Sequence, residues 1–196
     1  MFKNVEKTKK PIWEFVLYVG SMFSGKSSHL ISAVERHRIR GSGGACFKPM
    51  IDDRYSMSSI VTHAGGKINA IPVNNGKKII EYVESSGAEI VAVDEAFMIE
   101  GSAAALIELF QRGLTIYVSS IELSANLKSF EEIEKMMPYA TKIKKCAAVC
   151  VSCGDDAQVT HRKIPSQEEI SVGGSDTYEP MCWDCHPLTG NKDVNS

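Results

Sequence analysis

The sequence lacks the long apolar segments and the one-sided charge that characterise several classes of protein. No apolar run approaches the roughly 20 residues of a membrane-spanning helix, and the polar residues 1–10 lack the apolar centre of a secretory signal. A formal net charge of -2 gives no electrostatic reason to expect nucleic acid or an anionic membrane surface as a partner. No internal repeat is visible. We therefore predict a cytoplasmic protein without nucleic-acid or membrane partners.

The residues that are present have the composition of an ordinary globular protein. A chain of 196 residues, 43% of them hydrophobic, can bury one sizeable core and carry a small appendage. Four of its six cysteines form two C-x-x-C pairs, Cys150 with Cys153 and Cys182 with Cys185, which is more typical of metal binding than of disulfides. Four thiolates at this spacing suit a structural Zn²⁺ site, although two free pairs or a redox pair are alternatives. His186 could replace Cys185 as a ligand.

A glycine-rich stretch near the N-terminus is the most specific motif. It reads G-x-x-x-x-G-K-S, follows a predicted buried strand over 13–19, and precedes a predicted helix over 28–36. In such a loop the backbone N–H groups turn toward phosphate oxygens, the lysine supplies charge, and the serine hydroxyl can ligate Mg²⁺. An ordinary glycine turn is the alternative. We predict a phosphate-binding loop made of Gly20, Ser21, Met22, Phe23, Ser24, Gly25, Lys26 and Ser27.

Two acidic residues end a second predicted buried strand. The apolar run over 89–95 finishes with Asp94 and Glu95. Beside a phosphate loop, the first acid can hold Mg²⁺ and the second can accept a proton from an attacking hydroxyl. A strand that merely leaves the core at an acidic turn is the alternative. We predict that Asp94 completes a Mg²⁺ and phosphate site with Ser27, and that Glu95 is a general base.

The order of the remaining predicted elements indicates an α/β fold. Helices are predicted over 75–86, 102–111 and 129–137, strands over 45–48 and 114–118, and a loop over 50–66. This alternation implies a mainly parallel sheet covered by helices on both faces. Ligands bind such sheets beyond the carboxyl ends of the strands, which is where both motifs fall.

Five segments, in order along the chain, match the motifs of one known family. The segment from Gly20 to Ser27 is similar to the family's phosphate loop, including the Met-Phe pair. Residues 48–55 resemble its K-P-x-x-D-x-R-Y motif, and residues 93–96 stand at the position of its D-E-[AG]-Q-F-F motif. Residues 147–153 resemble its A-V-C-x-x-C motif, and Thr160 with residues 172–178 resembles its lasso loop. Together they resemble the zinc-containing cellular and bacterial thymidine kinases, the type II family, over 19–185.

The resemblance implies a RecA-like P-loop parallel sheet flanked by helices, with a small C-terminal zinc-ribbon or lasso domain. It places a nucleotide-binding α/β domain over 12–146 and a zinc-binding lasso domain over 147–186, while the polar residues themselves predict a flexible lead over 1–11 and a disordered tail over 187–196. It also implies a homotetramer.

The implied activity is transfer of the ATP γ-phosphate to the 5′-hydroxyl of thymidine in nucleotide salvage, with Mg²⁺ and a structural Zn²⁺. By this resemblance Glu95 and Arg54 are catalytic, and Lys26 with the loop amides holds the ATP phosphates. The zinc ligands are Cys150, Cys153, Cys182 and Cys185. The implied nucleoside contacts are Met22, Asp52, Phe97, Met98, Ala125, Thr160, Ile170, Ser171, Val172, Gly173 and Tyr178.

The departures from the family pattern concentrate around the base pocket. Phe97 and Met98 stand where the family has Gln and Phe, and Ala125 stands at an aromatic position. An aromatic is lost at 125 and one is gained at 97, so pocket volume is redistributed in this interpretation. A related deoxynucleoside kinase with altered or broadened base choice, and a nucleotide-binding regulator without turnover, therefore stay open. A RecA-like ATPase acting on nucleic acid is disfavoured by the net charge and the few aromatics near the cysteines.

Overall fold

The structure is a computed structural model. It describes residues 13–51, 58–61, 65–164 and 173–189. In chain order the elements are β1 (Phe15–Gly20), α1 (Lys26–Ile39), β2 (Gly44–Pro49), β3 (Ser59–Val61), β4 (Lys67–Asn69), β5 (Ile71–Val73), α2 (Gly76–Ser86), β6 (Ile90–Asp94), α3 (Ser102–Gln111), β7 (Thr115–Ser120), α4 (Glu131–Met136), β8 (Lys142–Cys146), β9 (Ala148–Val149), β10 (Asp156–Ala157), β11 (Val159–Arg162) and β12 (Tyr178–Met181), with short 3-10 helices at Ala96–Met98 and Met137–Tyr139.

Six of these strands form one parallel sheet in the order β5-β2-β6-β7-β1-β8. The order confirms the predicted α/β fold. Strand β7 lies between β6, which ends in Asp94, and β1, which leads into the phosphate loop. Because the strands run parallel, their carboxyl ends meet at one edge of the sheet. The two motifs that lie far apart in the sequence are therefore neighbours in space.

Helices cover both faces of the sheet, which explains the nearly continuous apolar strands. Side chains alternate along β1, so Phe15 and Leu17 join the main core with Leu106 of α3, whereas Val16 packs with Leu30 of α1 on the other face. All five side chains are buried. The core thus holds the sheet rigid beneath the edge where the motifs lie.

Helix boundaries follow local signals. Helix α3 occupies the residues predicted for it, and α2 begins one residue after Asn75, whose side chain accepts a hydrogen bond from the Lys78 N–H at 3.1 Å. Gly87 then ends α2 in the left-handed conformation, with φ 67°. The sequence predicts α2 closely because of its apolar spacing and the glycine stop, and the structure adds that Asn75 caps the helix.

Several strands depart from the expectations, among them β4 and β5, which were not predicted. The predicted loop over 50–66 is wrong at Ser59–Val61, which forms β3 and pairs antiparallel with β4. Edge strand β8 was not predicted, because its lysine-rich residues 142–145 are exposed and show no apolar pattern. Strand β8 therefore depends on pairing more than on a buried face.

The C-terminal segment has a separate small core. Two antiparallel pairs, β9 with β10 and β11 with β12, surround a cluster that includes Cys150, Ala157, Val159 and Met181, and Phe23 of the phosphate loop packs against this cluster. The domain boundaries stay a prediction, and the lead over 1–11 and most of the tail, 190–196, lie outside the described residues. No helix within the described part is long and apolar enough to cross a membrane.

Candidate active site

The predicted phosphate loop connects β1 to α1, and its backbone conformation depends on glycine. Gly20 has φ 142°, and an ideal Cβ there would lie 2.0 Å from the carbonyl oxygen of Cys146 in β8. Phe23 and Gly25 also have positive φ, 65° and 78°. The loop then closes onto the first turn of α1, where the Gly25 carbonyl accepts from the Ser28 N–H at 3.1 Å. The backbone therefore makes the tight turn that the motif predicts.

Lys26 is the first residue of α1, and its buried side chain reaches the beginning of the loop. Its Nζ donates to the Ser21 carbonyl oxygen at 2.7 Å. Burial lowers the pKa of Lys26, while Glu95, Asp94 and Glu122 act in the opposite direction. The ammonium group thus lies within the field of three carboxylates at the carboxyl edge of the sheet.

Asp94 is the point where the two sequence motifs meet. The Ser27 Oγ donates to Asp94 Oδ1 at 3.0 Å and lies 3.2 Å from Oδ2. The Ser119 hydroxyl donates to the same Oδ1. Asp94 itself is only 8% exposed. A hydroxyl and a carboxylate are the oxygen ligands that Mg²⁺ prefers, so this pair can hold that cation.

Glu95 follows Asp94 at a sharp turn of the backbone. It has φ 50° and ψ 44°, in the left-handed region, and precedes the 3-10 helix Ala96–Met98. A non-glycine residue in this region is uncommon and carries a conformational cost. The turn ends β6 and keeps the half-buried Glu95 beside the phosphate loop, close enough to affect the pKa of Lys26.

The C-terminal segment is tied to the phosphate loop by two hydrogen bonds. The Ser21 Oγ donates to the Ala157 carbonyl at 2.9 Å, and the Met22 N–H donates to Thr160 Oγ1 at 3.0 Å. Thr160 was predicted as a nucleoside contact, and the structure places its buried hydroxyl against the backbone of the loop. The phosphate loop and the C-terminal segment are therefore directly connected by hydrogen bonds.

Tyr178, another predicted nucleoside contact, is buried beside Arg162. The two residues face each other across β11 and β12, the Arg162 Nη2 donates to the Tyr178 hydroxyl at 2.9 Å, and the guanidinium carbon lies 5.3 Å from the ring centroid. Gly173 lies close to Thr177, since a Cβ at Gly173 would approach that side chain to 2.8 Å. The predicted residues Asp52, Arg54, Ile170, Ser171 and Val172 lie outside the described residues.

Two of the three residues that depart from the family pattern pack in or against the main core. Phe97 is buried in the main core, where its ring centroid lies 4.4 Å from that of Phe130. Met98 is partly buried against the same core, and Ala125 is half-buried after β7. The aromatic ring at 97 therefore serves the packing of the core.

The four predicted metal ligands come together in the C-terminal segment. The Sγ atoms of Cys150, Cys153, Cys182 and Cys185 all lie within 4.8 Å of one another. Burial opposes ionisation of Cys150, but backbone N–H groups of Cys182, Cys153 and Ser152 point at its sulfur and bring its pKa down to about 6. A sulfur held as thiolate by N–H donors is the form that Zn²⁺ binds, so this group fits a structural zinc ion.

His186 is not part of this sulfur group among the residues that the structure describes. Its ring is fully buried, packs edge-on against His161 with centroids 5.5 Å apart, and accepts at Nδ1 from the Leu188 N–H at 3.3 Å. The four cysteines thus supply four ligands for a zinc ion without His186.

Three residues of the site were missed by sequence reasoning. Ser119 touches Asp94, Arg162 touches Tyr178, and the buried Glu122 pairs with Lys145 Nζ at 3.2 Å and influences Lys26. A polar residue at the end of a predicted buried strand was the available signal for Ser119. Arg162 carried no local signal, because its role depends on strand pairing.

A parallel sheet, a glycine-rich phosphate loop and an acidic residue bonded to the loop serine together define a P-loop nucleotide-binding protein. The family model described as thymidine kinase matches residues 14–186. The chain belongs to the thymidine kinase family, and it is therefore a phosphotransferase that phosphorylates a nucleoside with ATP. The four-cysteine group fits the zinc-containing type.

Among solved structures, the chain is similar to the genome packaging NTPase B204 from Sulfolobus turreted icosahedral virus 2, in complex with ATP-gammaS. The two share 14% sequence identity at a TM-score of 0.39, with 80% of this chain and 77% of that chain covered. That likeness is too distant to bear on function.

Proposed function

We propose that the chain transfers the γ-phosphate of ATP to the 5′-hydroxyl of thymidine, forming thymidine monophosphate in nucleotide salvage. The observation that carries the proposal is the meeting of Lys26, Ser27, Asp94 and Glu95 at the carboxyl edge of the sheet. Phosphoryl transfer needs positioned phosphates, charge neutralisation and a proton acceptor. This group contains a side chain of suitable chemistry for each of these three requirements.

In this proposal the loop amides and Lys26 hold the ATP phosphates. A phosphate oxygen entering the loop takes the place of the Ser21 carbonyl as partner of the Lys26 ammonium, which lies 2.7 Å from that carbonyl. Ser27 and Asp94 hold Mg²⁺, which supplies positive charge to the transferring phosphate. Arg54 stabilises the same charge by the family resemblance.

Glu95 accepts the proton of the 5′-hydroxyl. Its position directly after the Mg²⁺ ligand Asp94 would place a carboxylate near the phosphate that is attacked, and its constrained turn limits the reorganisation that the reaction requires. Asp52 would position the nucleoside beside it. Thr160 and Tyr178 support the pocket through the phosphate loop and Arg162.

A second candidate is a deoxynucleoside kinase with broader base choice. The observation that favours it is the burial of Phe97 against Phe130 in the main core. Because that ring is used in core packing, it does not replace the aromatic that the family has at Ala125. The half-buried Ala125 then leaves a wider base pocket, in which discrimination between bases is weaker.

The deciding experiment is a phosphorylation assay with Mg-ATP and thymidine, deoxyuridine or deoxycytidine, each with wild type and with Glu95→Gln. Thymidine-dependent product that is lost in the variant supports both the substrate and the base. Equal kcat/KM for the three nucleosides would refute thymidine selectivity in favour of the broader kinase. Saturable ATP binding without product from any nucleoside would instead indicate a regulator.

Zinc, quaternary structure and location complete the proposal. The zinc ion stabilises the C-terminal segment, which is too small to form a large core of its own. We also propose a homotetramer in the cytoplasm, which gel filtration with light scattering and cell fractionation would test.

A further inference from the structure

Strand β7 inserts a serine between the two nucleotide-binding motifs. In the parallel ladder Ser119 is paired with Asp94 of β6, and the next residue, Ser120, is paired with Val19 just before the phosphate loop. Both serines are fully buried. A hydroxyl at this place is surrounded by protein, so its hydrogen-bond partners are nearby protein groups.

The Ser119 hydroxyl donates to Asp94 Oδ1, the oxygen that also accepts from Ser27. A hydrogen bond to an ionised acceptor is about twice as strong as one between neutral groups. With both hydroxyl donors directed at it, the buried carboxylate has a defined orientation relative to Ser27. That orientation decides whether the Ser27 and Asp94 oxygens face one cation together.

Ser120 provides an internal comparison, because it has the same side chain and burial but different partners. Its Oγ accepts from the Phe97 N–H at 3.3 Å and donates to the Ile121 carbonyl at 3.1 Å. It therefore supports the turn after β6 and the end of β7 instead of the carboxylate. Replacing either serine by alanine therefore removes the same small side-chain volume, at two adjacent positions of β7.

We propose that Ser119 is a positioning residue for the divalent cation of the nucleotide, acting by fixing the Asp94 carboxylate toward Ser27. The inference rests on the proposed function in one respect, namely that Ser27 and Asp94 are the Mg²⁺ ligands. It goes beyond that function by assigning cation affinity to a side chain that touches neither the nucleotide nor the cation.

The test measures binding and needs no turnover. Affinity for a non-hydrolysable ATP analogue is determined by titration calorimetry in EDTA and at a series of free Mg²⁺ concentrations, for wild type, Ser119→Ala, Ser119→Thr and Ser120→Ala. Loss of an outer partner of a metal ligand weakens metal binding by about 10- to 100-fold. We expect Ser119→Ala to raise the half-saturating Mg²⁺ concentration by roughly ten-fold or more, with unchanged affinity in EDTA.

The control variants separate positioning from general damage to the fold. Ser119→Thr keeps the hydroxyl and is expected to recover Mg²⁺ affinity, and Ser120→Ala is expected to behave as wild type in its Mg²⁺ dependence. The inference is overturned if Ser119→Ala keeps the wild-type Mg²⁺ dependence or if both alanine variants weaken it equally. Nucleotide binding by wild type that is independent of Mg²⁺ would refute the proposed metal site itself, and with it the role of Ser119.

Discussion

The close approach of β8 to the phosphate loop makes replacement of Gly20 by alanine a sharp test of the site's architecture. The added Cβ would lie 2.0 Å from the Cys146 carbonyl oxygen, and the backbone φ of 142° is itself unfavourable for alanine. Conformational strain costs about 1–3 kcal/mol, and overpacking in a dense region adds about 1–3 kcal/mol. We therefore expect Gly20→Ala to lower the free energy of unfolding by roughly 2–6 kcal/mol.

Gly41→Ala is the matched control. Gly41 also has positive φ, 80°, but nothing lies within 4 Å of its ideal Cβ. This variant carries only the conformational cost, about 1–2 kcal/mol. For a chain of 150–250 residues each kcal/mol shifts Tm by about 2–4 °C, so thermal and urea unfolding resolve the difference.

The comparison of the two variants decides the matter. A larger loss for Gly20→Ala than for Gly41→Ala, together with weaker ATP binding, supports the close contact between the loop and β8. Equal losses would refute the reasoning, because the steric contribution would then be absent and only the shared cost of positive φ would remain.

Three further predictions concern catalysis, the metal group and pH. Glu95→Gln keeps the phosphate contacts but removes the proton acceptor, so kcat should fall by about 100-fold or more with ATP affinity unchanged; steady-state kinetics with near-wild-type kcat would remove Glu95 from this role. Cys150→Ser should abolish stoichiometric zinc in metal analysis and lower Tm, whereas retained zinc would contradict the ligand assignment. Burial lowers the pKa of His37, whose Nε2 lies 2.7 Å from the Tyr117 hydroxyl, so its contribution to stability is complete above about pH 6.5 and is lost as pH falls below it. Urea unfolding at pH 7.5 and 5.5 should therefore show a smaller loss for His37→Gln than for wild type, and an equal loss would contradict the shift.

The phosphate loop and the cysteine pairs could be identified from the sequence alone. In both cases contiguous residues carry the chemistry: the turn of the loop needs glycines at set positions, and each C-x-x-C pair brings two thiols to one short turn. The parallel α/β fold was also predictable, because buried strands and amphipathic helices alternate with clear periods. Apolar spacing and the stop at Gly87 placed helix α2 to within one residue.

Only the tertiary structure decided which of these parts touch. The order β6-β7-β1 brings Ser119 to Asp94, and no spacing along the chain predicts that neighbour. Phe97 was predicted as a nucleoside contact, and only the fold reveals that its ring packs in the main core against Phe130. Local patterns determine local geometry, whereas strand order and the choice between core and pocket depend on contacts between residues far apart in sequence, where many side chains compete for the same space.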